Sequence, residues 1–287
     1  MQMNQIREYL SFCAAGQLVD CSTPLVMGIV NVTPDSFAVR CSSCTEAGIL
    51  HDASVMLQQG ADILDIGGYS TRPNAPFVSE EEEWQRLRLA LKTIRNAWPD
   101  VPVSVDTFRS EIARRAVSEY ATNIINDVSG GQWDEQMFAT VAQLGVPYVL
   151  THTYWLTPDQ QKASCEHDVV SDVLAFLQKR LDQLHQAGVA DVIIDPGFGL
   201  GKTVEESYCL LREMAVLQVL HAPVLAGLSR KSMFFKPLQI TPKDALNATT
   251  AANVLALERG ANILRVHDVK AAREAVQVVQ LTYSYSL

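Results

Sequence analysis

Residues 193–203 read Ile193-Ile194-Asp195-Pro196-Gly197-Phe198-Gly199-Leu200-Gly201-Lys202-Thr203. The stretch begins as a short apolar strand, stops on an aspartate and passes through a proline and three glycines before a helix can start. Ligands in parallel α/β folds bind at the carboxyl ends of strands, so this ending indicates a binding site. The alternative is that Asp195 only caps the next helix and the glycines only make the turn.

The same pattern recurs along the chain as a short β-branched run, a polar or glycine-rich end and a stretch with helical spacing. Ser79 with Glu82 predicts a capping box, and Thr241 before Pro242 predicts an N-cap. Eight such units favour an α/β (β/α)8 TIM barrel, with residues 1–287 as one domain and residues 1–23 as a short N-terminal extension. The predicted strands are Leu25–Val32, Ala61–Gly67, Val101–Asp106, Asn123–Val128, Pro147–His152, Asp191–Asp195, Pro223–Leu228 and Asn262–Val266.

Composition narrows the functional classes. The net charge of −9 over 287 residues argues against a nucleic-acid partner, whose binding protein would be basic. No apolar run is long enough for a membrane span, and the first residues do not resemble a secretory signal. The six scattered cysteines indicate reduced thiols in a cytoplasmic protein, and we interpret Cys41 and Cys44 as an incidental pair.

The strand ends carry polar residues of two kinds, and the barrel would bring them to one mouth. Asp106, Asn126 and Asp195 can recognise the N–H edge of a flat 2-amino-4-oxo heterocycle. Asn31 supplies an oxygen suited to Mg²⁺ that is bound mainly through water and a substrate phosphate. A second set of cations and hydroxyls suits phosphate or carboxylate; it comprises Thr71, Arg72, Lys231, Ser232, Arg265 and His267.

These residues lie in motifs that resemble those of the dihydropteroate synthases, from about Met27 to Val269. The resemblance implies an enzyme of folate biosynthesis, a transferase that condenses 6-hydroxymethyl-7,8-dihydropterin diphosphate with 4-aminobenzoate. In that family diphosphate leaves first, and the aniline nitrogen then attacks the pterin methylene cation. The motifs are Gly28-Ile29-Val30-Asn31-Val32-Thr33-Pro34-Asp35-Ser36-Phe37, Gly67-Gly68-Tyr69-Ser70-Thr71-Arg72-Pro73, Val105-Asp106-Thr107, Asn126-Asp127, Asp195-Pro196-Gly197-Phe198-Gly199, Ser229-Arg230-Lys231-Ser232 and Arg265-Val266-His267-Asp268.

The resemblance also implies a role for each matching position, a Mg²⁺ cofactor, two small-molecule substrates and a homodimer formed through helices late in the chain. Asp106, which would stabilise the methylene cation, and Lys231 would be catalytic. The implied binding sets are Asp106, Asn126, Asp195 and Lys231 for the pterin; Asn31, Thr71, Arg265 and His267 for diphosphate; Phe37, Arg72, Pro73, Phe198, Lys231 and Ser232 for 4-aminobenzoate; and Asn31 for the metal.

The sequence departs from the family pattern at three strand ends. After Phe37 the first loop reads Ala38-Val39-Arg40-Cys41, so Val39 replaces the usual aspartate. Tyr69 stands where glutamate is common, and Thr151-His152-Thr153 stands where Met-His-Met is typical. We interpret these changes as variation within the family.

Alternatives exist for the whole protein and for single residues. A methyltetrahydrofolate–corrinoid methyltransferase would share the aspartates and the asparagine but would not need the cations. A non-catalytic pterin-binding homologue is compatible with the altered first loop. Arg265 could instead pair with Asp268, whereas we expect His152 to be structural or solvated rather than functional.

Overall fold

The computed structural model describes residues 10–14, 16–33, 45–70, 77–157, 160–161 and 168–284. The strands in these ranges are β1 (Ser11–Ala14), β2 (Gln17–Asp20), β3 (Leu25–Asn31), β4 (Ile63–Gly67), β5 (Val103–Asp106), β6 (Ile124–Asp127), β7 (Tyr148–Thr151), β8 (Trp155–Thr157), β9 (Gln160–Gln161), β10 (Val192–Asp195), β11 (Leu225–Ala226) and β12 (Ile263–Val266). The helices are α1 (Glu46–Gln58), α2 (Glu80–Ala97), α3 (Ser110–Tyr120), α4 (Met137–Leu144), α5 (Val169–Ala187), α6 (Val204–Glu213), α7 (Ser232–Phe235), α8 (Leu246–Glu258) and α9 (Val269–Ser284), with 3-10 helices at Met214–Leu220 and Pro242–Asp244.

Eight parallel strands form one sheet in the order β10-β7-β6-β5-β4-β3-β12-β11. A parallel bridge between Ile194 and Val224 joins the two ends of this order, so the sheet curls into a nearly closed barrel. The structure therefore confirms the predicted (β/α)8 fold. The register pairs Gly67 with both Asn31 and Asp106, and Asp106 with Asn126, which brings these strand ends to one level.

The helices pack around the barrel because each has one apolar stripe. On α2, Trp84, Leu87, Leu91 and Ile94 are all fully buried, as their spacing predicts. Burial of one such side chain stabilises the fold by about 1.5–3 kcal/mol. Ser79 caps this helix by accepting a hydrogen bond from the backbone N–H of Glu82.

The opening stretch folds as its sequence predicts. The strand β10 ends at Asp195, and α6 begins at Val204 after the glycine turns. Thr203 caps α6 in a reciprocal box with Glu206, in which each side chain bonds the other residue's backbone N–H. The capping box therefore fixes the helical end of the turn between β10 and α6, and this limits the conformations of the turn residues.

Two details of the predicted elements differ. The seventh barrel strand covers only Leu225–Ala226, because the chain turns at Leu228, whose carbonyl accepts the N–H of Lys231. The predicted cap at Thr241 is present, but it starts a single 3-10 turn and α8 begins later, at Leu246. The antiparallel pair β8–β9 was not predicted from the sequence.

The N-terminal residues cover the end of the barrel opposite the polar strand ends. The strands β1 and β2 form an antiparallel hairpin, and its Phe12 and Ala14 are buried with Cys21. They pack on the apolar side chains Met27, Ile63, Ile124, Val149, Ile193, Leu225 and Ile263. Apolar side chains fill this end of the barrel, so we expect ligands to bind at the other end.

In the part of the chain that the structure describes, no helix combines the length and the apolar character needed to cross a bilayer.

Candidate active site

Arg265 of β12 lies across the mouth of the barrel and bridges two carboxylates from other strands. Its Nε donates to Asp65 Oδ2 at 2.7 Å, and its Nη2 donates to Asp106 Oδ2 at 2.6 Å. Asn126 Nδ2 donates to the same oxygen of Asp65 at 3.1 Å. Strands β4, β5, β6 and β12 thus place their polar side chains in one connected cluster.

The cluster holds more negative than positive charge. Burial raises the pKa of Asp106 to about 7; the guanidinium of Arg265 opposes this rise, and the charge of Asp65 adds to it. Asp65 Oδ1 is buried and has no hydrogen-bond partner among the described residues. Because two carboxylates share one guanidinium, the cluster can stabilise a positive charge that develops on a bound ring.

Asp195 and Lys231 provide a second charged pair at the mouth. Gly197 donates its backbone N–H to Asp195 Oδ1 at 2.7 Å. Burial raises the pKa of Asp195, while that hydrogen bond and the charges of Lys231 and Arg265 oppose the rise. Burial also lowers the pKa of Lys231 to about 8, although the charge of Asp195 opposes the shift. Asp195 and Lys231 therefore interact electrostatically at the mouth.

A buried lysine beside this pair contacts His152. Lys202 Nζ lies 2.8 Å from His152 Nδ1 and donates to the carbonyl of Gly197 at 2.8 Å. Burial and the charge of Lys202 lower the pKa of His152 to about 2, so the imidazole is neutral and accepts from the lysine. The structure thus gives His152 a structural role, in line with the expectation from the sequence.

Hydrogen bonds order the basic residues Arg230 and His267, which follow β11 and β12. Ser229 Oγ lies 2.9 Å from His267 Nδ1 and also accepts the backbone N–H of His267 at 3.2 Å. Arg230 binds Asp268 with two nitrogens, at 2.7 and 2.9 Å. The alternative pairing of Arg265 with Asp268 is therefore wrong, because Asp268 is occupied by Arg230.

Asn31 ends β3 beside Gly67 and Asp106. A Cβ on Gly67 would lie 3.4 Å from Asn31 Oδ1 and 3.8 Å from Asp106 Oδ2, so the glycine leaves room between the two side chains. Among the described residues, no group of three His, Cys, Asp or Glu side chains is placed to hold a metal ion. A cation at Asn31 would thus need water and substrate oxygens to complete its coordination, which suits Mg²⁺.

The remaining predicted site residues lie apart from the cluster of Asp65, Asp106 and Arg265 or outside the described part of the chain. Phe198 is only 1% exposed and packs in the main core, so its ring as placed offers no surface to a ligand. Ser232 is the first residue of α7, directly after Lys231. The predicted residues Phe37, Thr71, Arg72 and Pro73 lie outside the described residues, as does the altered loop at Ala38-Val39-Arg40-Cys41.

Sequence reasoning missed two residues that the structure places in the site, Asp65 and Lys202. Asp65 interrupts the apolar strand Ile63–Gly67, and a lone carboxylate in such a strand was an available signal. Lys202 lies within the stretch quoted first, and only its burial distinguishes it from a solvated lysine.

Comparison with known proteins gives a consistent result. Residues 27–267 match a family model described as pterin binding enzyme. The dihydropteroate synthase of Escherichia coli (strain K12) is 37% identical over 273 residues, which cover 94% of this chain and 96% of that protein. The Yersinia pestis dihydropteroate synthase in a sulfonamide drug complex is 35% identical, with a TM-score of 0.90 over 96% of this chain and 100% of the other. The Thermus thermophilus dihydropteroate synthase in complex with 4-aminobenzoate is 36% identical, with a TM-score of 0.84 over 95% and 100%.

Proposed function

The chain belongs to the dihydropteroate synthase family of pterin-binding enzymes, and we propose that its barrel mouth condenses 6-hydroxymethyl-7,8-dihydropterin diphosphate with 4-aminobenzoate. The products are 7,8-dihydropteroate and diphosphate, which makes the protein a transferase of folate biosynthesis. One observation carries the proposal. Asp65, Asp106, Asn126 and Arg265, from four different strands, form one hydrogen-bonded cluster at the carboxyl end of the barrel.

The acids and the amide bind the pterin ring in this proposal. A 2-amino-4-oxo ring presents N–H groups, which Asp195 and Asp106 accept, while Asn126 supplies both a donor and an acceptor. Lys231 donates to a ring acceptor from the side of Asp195, and the negative charge of Asp195 favours the protonated form of Lys231. Asp65 and Asn126 are buried, and the side chains of Asp106 and Arg265 are only 23% and 21% exposed, so these hydrogen bonds are stronger than they would be in water.

The reaction proceeds by loss of the leaving group first. The bond between the pterin methylene carbon and the diphosphate oxygen breaks, and its electron pair leaves with diphosphate. Asp106 in its ionised form stabilises the methylene cation. The aniline nitrogen of 4-aminobenzoate then forms a bond to that carbon and loses a proton to solvent.

The basic residues receive the leaving diphosphate. Arg265 lies over the acids and can pair with a phosphate oxygen through its guanidinium. His267, which Ser229 orders through its Nδ1, lies after the same strand and adds a donor. Lys231 and Ser232 at the start of α7 frame the carboxylate of 4-aminobenzoate, together with predicted residues that lie outside the described ranges.

Mg²⁺ is the proposed cofactor, held by Asn31, water and the substrate diphosphate. The space that Gly67 leaves between Asn31 and Asp106 is compatible with this arrangement. When bound, the ion neutralises the charge that develops on the leaving group.

We also propose a cytoplasmic homodimer. Large apolar side chains are exposed on α6, α8 and α9, including Tyr208, Leu255, Val278 and Leu281. Burying them against a second copy of the chain would remove this apolar surface from water. Light scattering coupled to size-exclusion chromatography measures the mass in solution, and a monomer at micromolar concentration would contradict this part of the proposal.

A turnover assay tests the activity. Purified protein with Mg²⁺ and both substrates should release diphosphate and form dihydropteroate in equal amounts. Tight binding of the pterin without turnover would contradict the proposal and favour a binding module. Methyl transfer from methyltetrahydrofolate to a corrinoid, without release of diphosphate, would favour the methyltransferase.

A further inference from the structure

Lys202 is a buried lysine that the proposed reaction does not use. Its side chain lies in the loop between β10 and α6, and the residue is only 8% exposed. Within the described parts of the chain, no carboxylate lies within ion-pair distance of it. Burying a lysine side chain costs free energy, which its three hydrogen bonds offset only in part. The burial of Lys202 therefore calls for an explanation.

Those three hydrogen bonds connect two strand-end loops. Lys202 Nζ lies 2.8 Å from His152 Nδ1 and donates to the carbonyls of Gly197 at 2.8 Å and His152 at 3.3 Å. His152 follows β7, and Gly197 follows β10. The lysine is therefore a cross-link between neighbouring loops at the mouth.

Gly197 connects Lys202 to Asp195 in the site, because it forms a hydrogen bond with each of them. Its φ of +68° is a left-handed conformation, and a Cβ at this position would lie 1.8 Å from the carbonyl oxygen of His152. The two loops are thus in direct contact, and only glycine fits between them. The peptide groups of Gly197 accept from Lys202 on one side, and donate to Asp195 Oδ1 at 2.7 Å on the other.

The second oxygen of Asp195 faces a different neighbour. Its Oδ2 lies on the β11 side, where a Cβ on Gly227 would come to 3.7 Å from it. A carboxylate with one oxygen fixed by the backbone has a defined orientation for its other oxygen. The conformation of the Gly197 turn therefore sets the direction in which Asp195 accepts hydrogen bonds.

We propose that Lys202 is a positioning residue, which holds the Gly197 turn so that Asp195 is oriented to bind the pterin ring. The inference rests on the proposed function, because it takes Asp195 as a pterin ligand. Lys202 touches neither substrate; it acts through Gly197 and through the neutral imidazole of His152. Burial lowers the pKa of Lys202 itself to about 7, so its charge is only partly present near neutral pH, and the protonated fraction favours the ionised form of Asp195.

Calorimetric titration with 6-hydroxymethylpterin tests the positioning role without turnover. Lys202→Met removes the amino group with its charge and donors but keeps most of the length of the side chain. We expect it to weaken pterin binding by about tenfold or more. Lys202→Arg restores a cation with several donors and should recover most of the affinity. Lys92→Met, on the exposed face of α2, is the matched control and should bind like the wild type.

Steady-state kinetics separates positioning from a general loss of structure. The KM for the pterin diphosphate should rise in Lys202→Met, while kcat and the KM for 4-aminobenzoate stay within about twofold of the wild type. Equal pterin affinity in Lys202→Met and wild type would overturn the inference. A parallel loss of affinity for both substrates would also overturn it, because it would show a mouth that has loosened as a whole.

Two further outcomes remain decisive. If circular dichroism shows that Lys202→Met does not fold, Lys202→Gln is tested instead, since it is neutral and polar but shorter than lysine, and its amide has too few N–H groups to make all three hydrogen bonds. Wild-type pterin affinity in Lys202→Gln would overturn the inference, and failure of both variants to fold would assign Lys202 to fold stability alone. A wild-type protein that binds no pterin contradicts the proposed function, and that result is distinct from any effect of the variants.

Discussion

Replacing Arg265 with methionine removes the cation that two carboxylates share at the mouth. Asp65 is 0% and Asp106 23% exposed by side chain, and each has an oxygen 2.6 Å from Arg265 Nη2. Removing one partner of a buried ion pair costs about 3–5 kcal/mol, because the remaining charge is left desolvated and uncompensated. Methionine keeps much of the apolar stem. We therefore expect Arg265→Met to lower the free energy of unfolding by about 3–5 kcal/mol at pH 8.

The stability that Arg265→Met loses should be smaller at acidic pH. The direction of this pH dependence follows from the pKa of Asp106. The folded pKa of Asp106 is about 7, whereas an unfolded aspartate titrates near about 3.9. The folded protein binds more protons between these values, so this group makes stability fall as the pH rises through the window. Without Arg265 the pKa of Asp106 rises further, so the fall in stability as this group ionises continues up to a higher pH. The two proteins should therefore be closer in stability at pH 5 than at pH 8.

Urea unfolding followed by circular dichroism at pH 5 and pH 8 measures both effects. Lys270→Met is the control, since its pair with Glu274 is solvent-exposed and spans 3.9 Å. It should leave stability unchanged at either pH. A cost for Arg265→Met no larger than that of the control, or the same at both pH values, would refute the reasoning about the shared cation.

Three further predictions concern activity. Asp106→Ala and Lys231→Ala should each reduce turnover by about 100-fold or more without changing the circular dichroism spectrum, and near wild-type rates would refute these roles. The pH profile of kcat/KM should be bell-shaped, with an acid limb near pH 7 where Asp106 becomes protonated and a basic limb near pH 8 where Lys231 loses its proton. A flat profile between pH 6 and 9 would contradict this assignment. Sulfonamides should compete with 4-aminobenzoate in initial-rate kinetics, and indifference to them would leave the second substrate unidentified.

The fold was predictable because its signals are local. The strand that ends at Asp195, the cap at Thr203 and the apolar stripe of α2 are each contained within one window of about 18 consecutive residues. The short ladder β8–β9 left no comparable signal, since its strands are three and two residues long. The N-terminal hairpin is also short, and its place under the barrel depends on contacts with seven strands.

The site was predictable as a set of strand ends but not as a set of contacts. The sequence places Asp106, Asn126 and Arg265 at the same mouth, yet Arg265 reaches Asp65 across 200 positions of the chain. Which carboxylate pairs with which cation depends on side-chain reach inside the barrel, and that is not encoded in spacing. The role of Lys202 likewise depends on His152, 50 positions away, and on a burial that its glycine-rich surroundings do not indicate.

The central claim is that one barrel mouth binds the pterin between the acids and the cations. A crystal structure of the protein with 6-hydroxymethylpterin and diphosphate measures this directly. We predict the N–H edge of the ring on Asp106, Asn126 and Asp195, with diphosphate near Arg265 and His267. A ring bound at the opposite end of the barrel or on its outer surface would contradict the account.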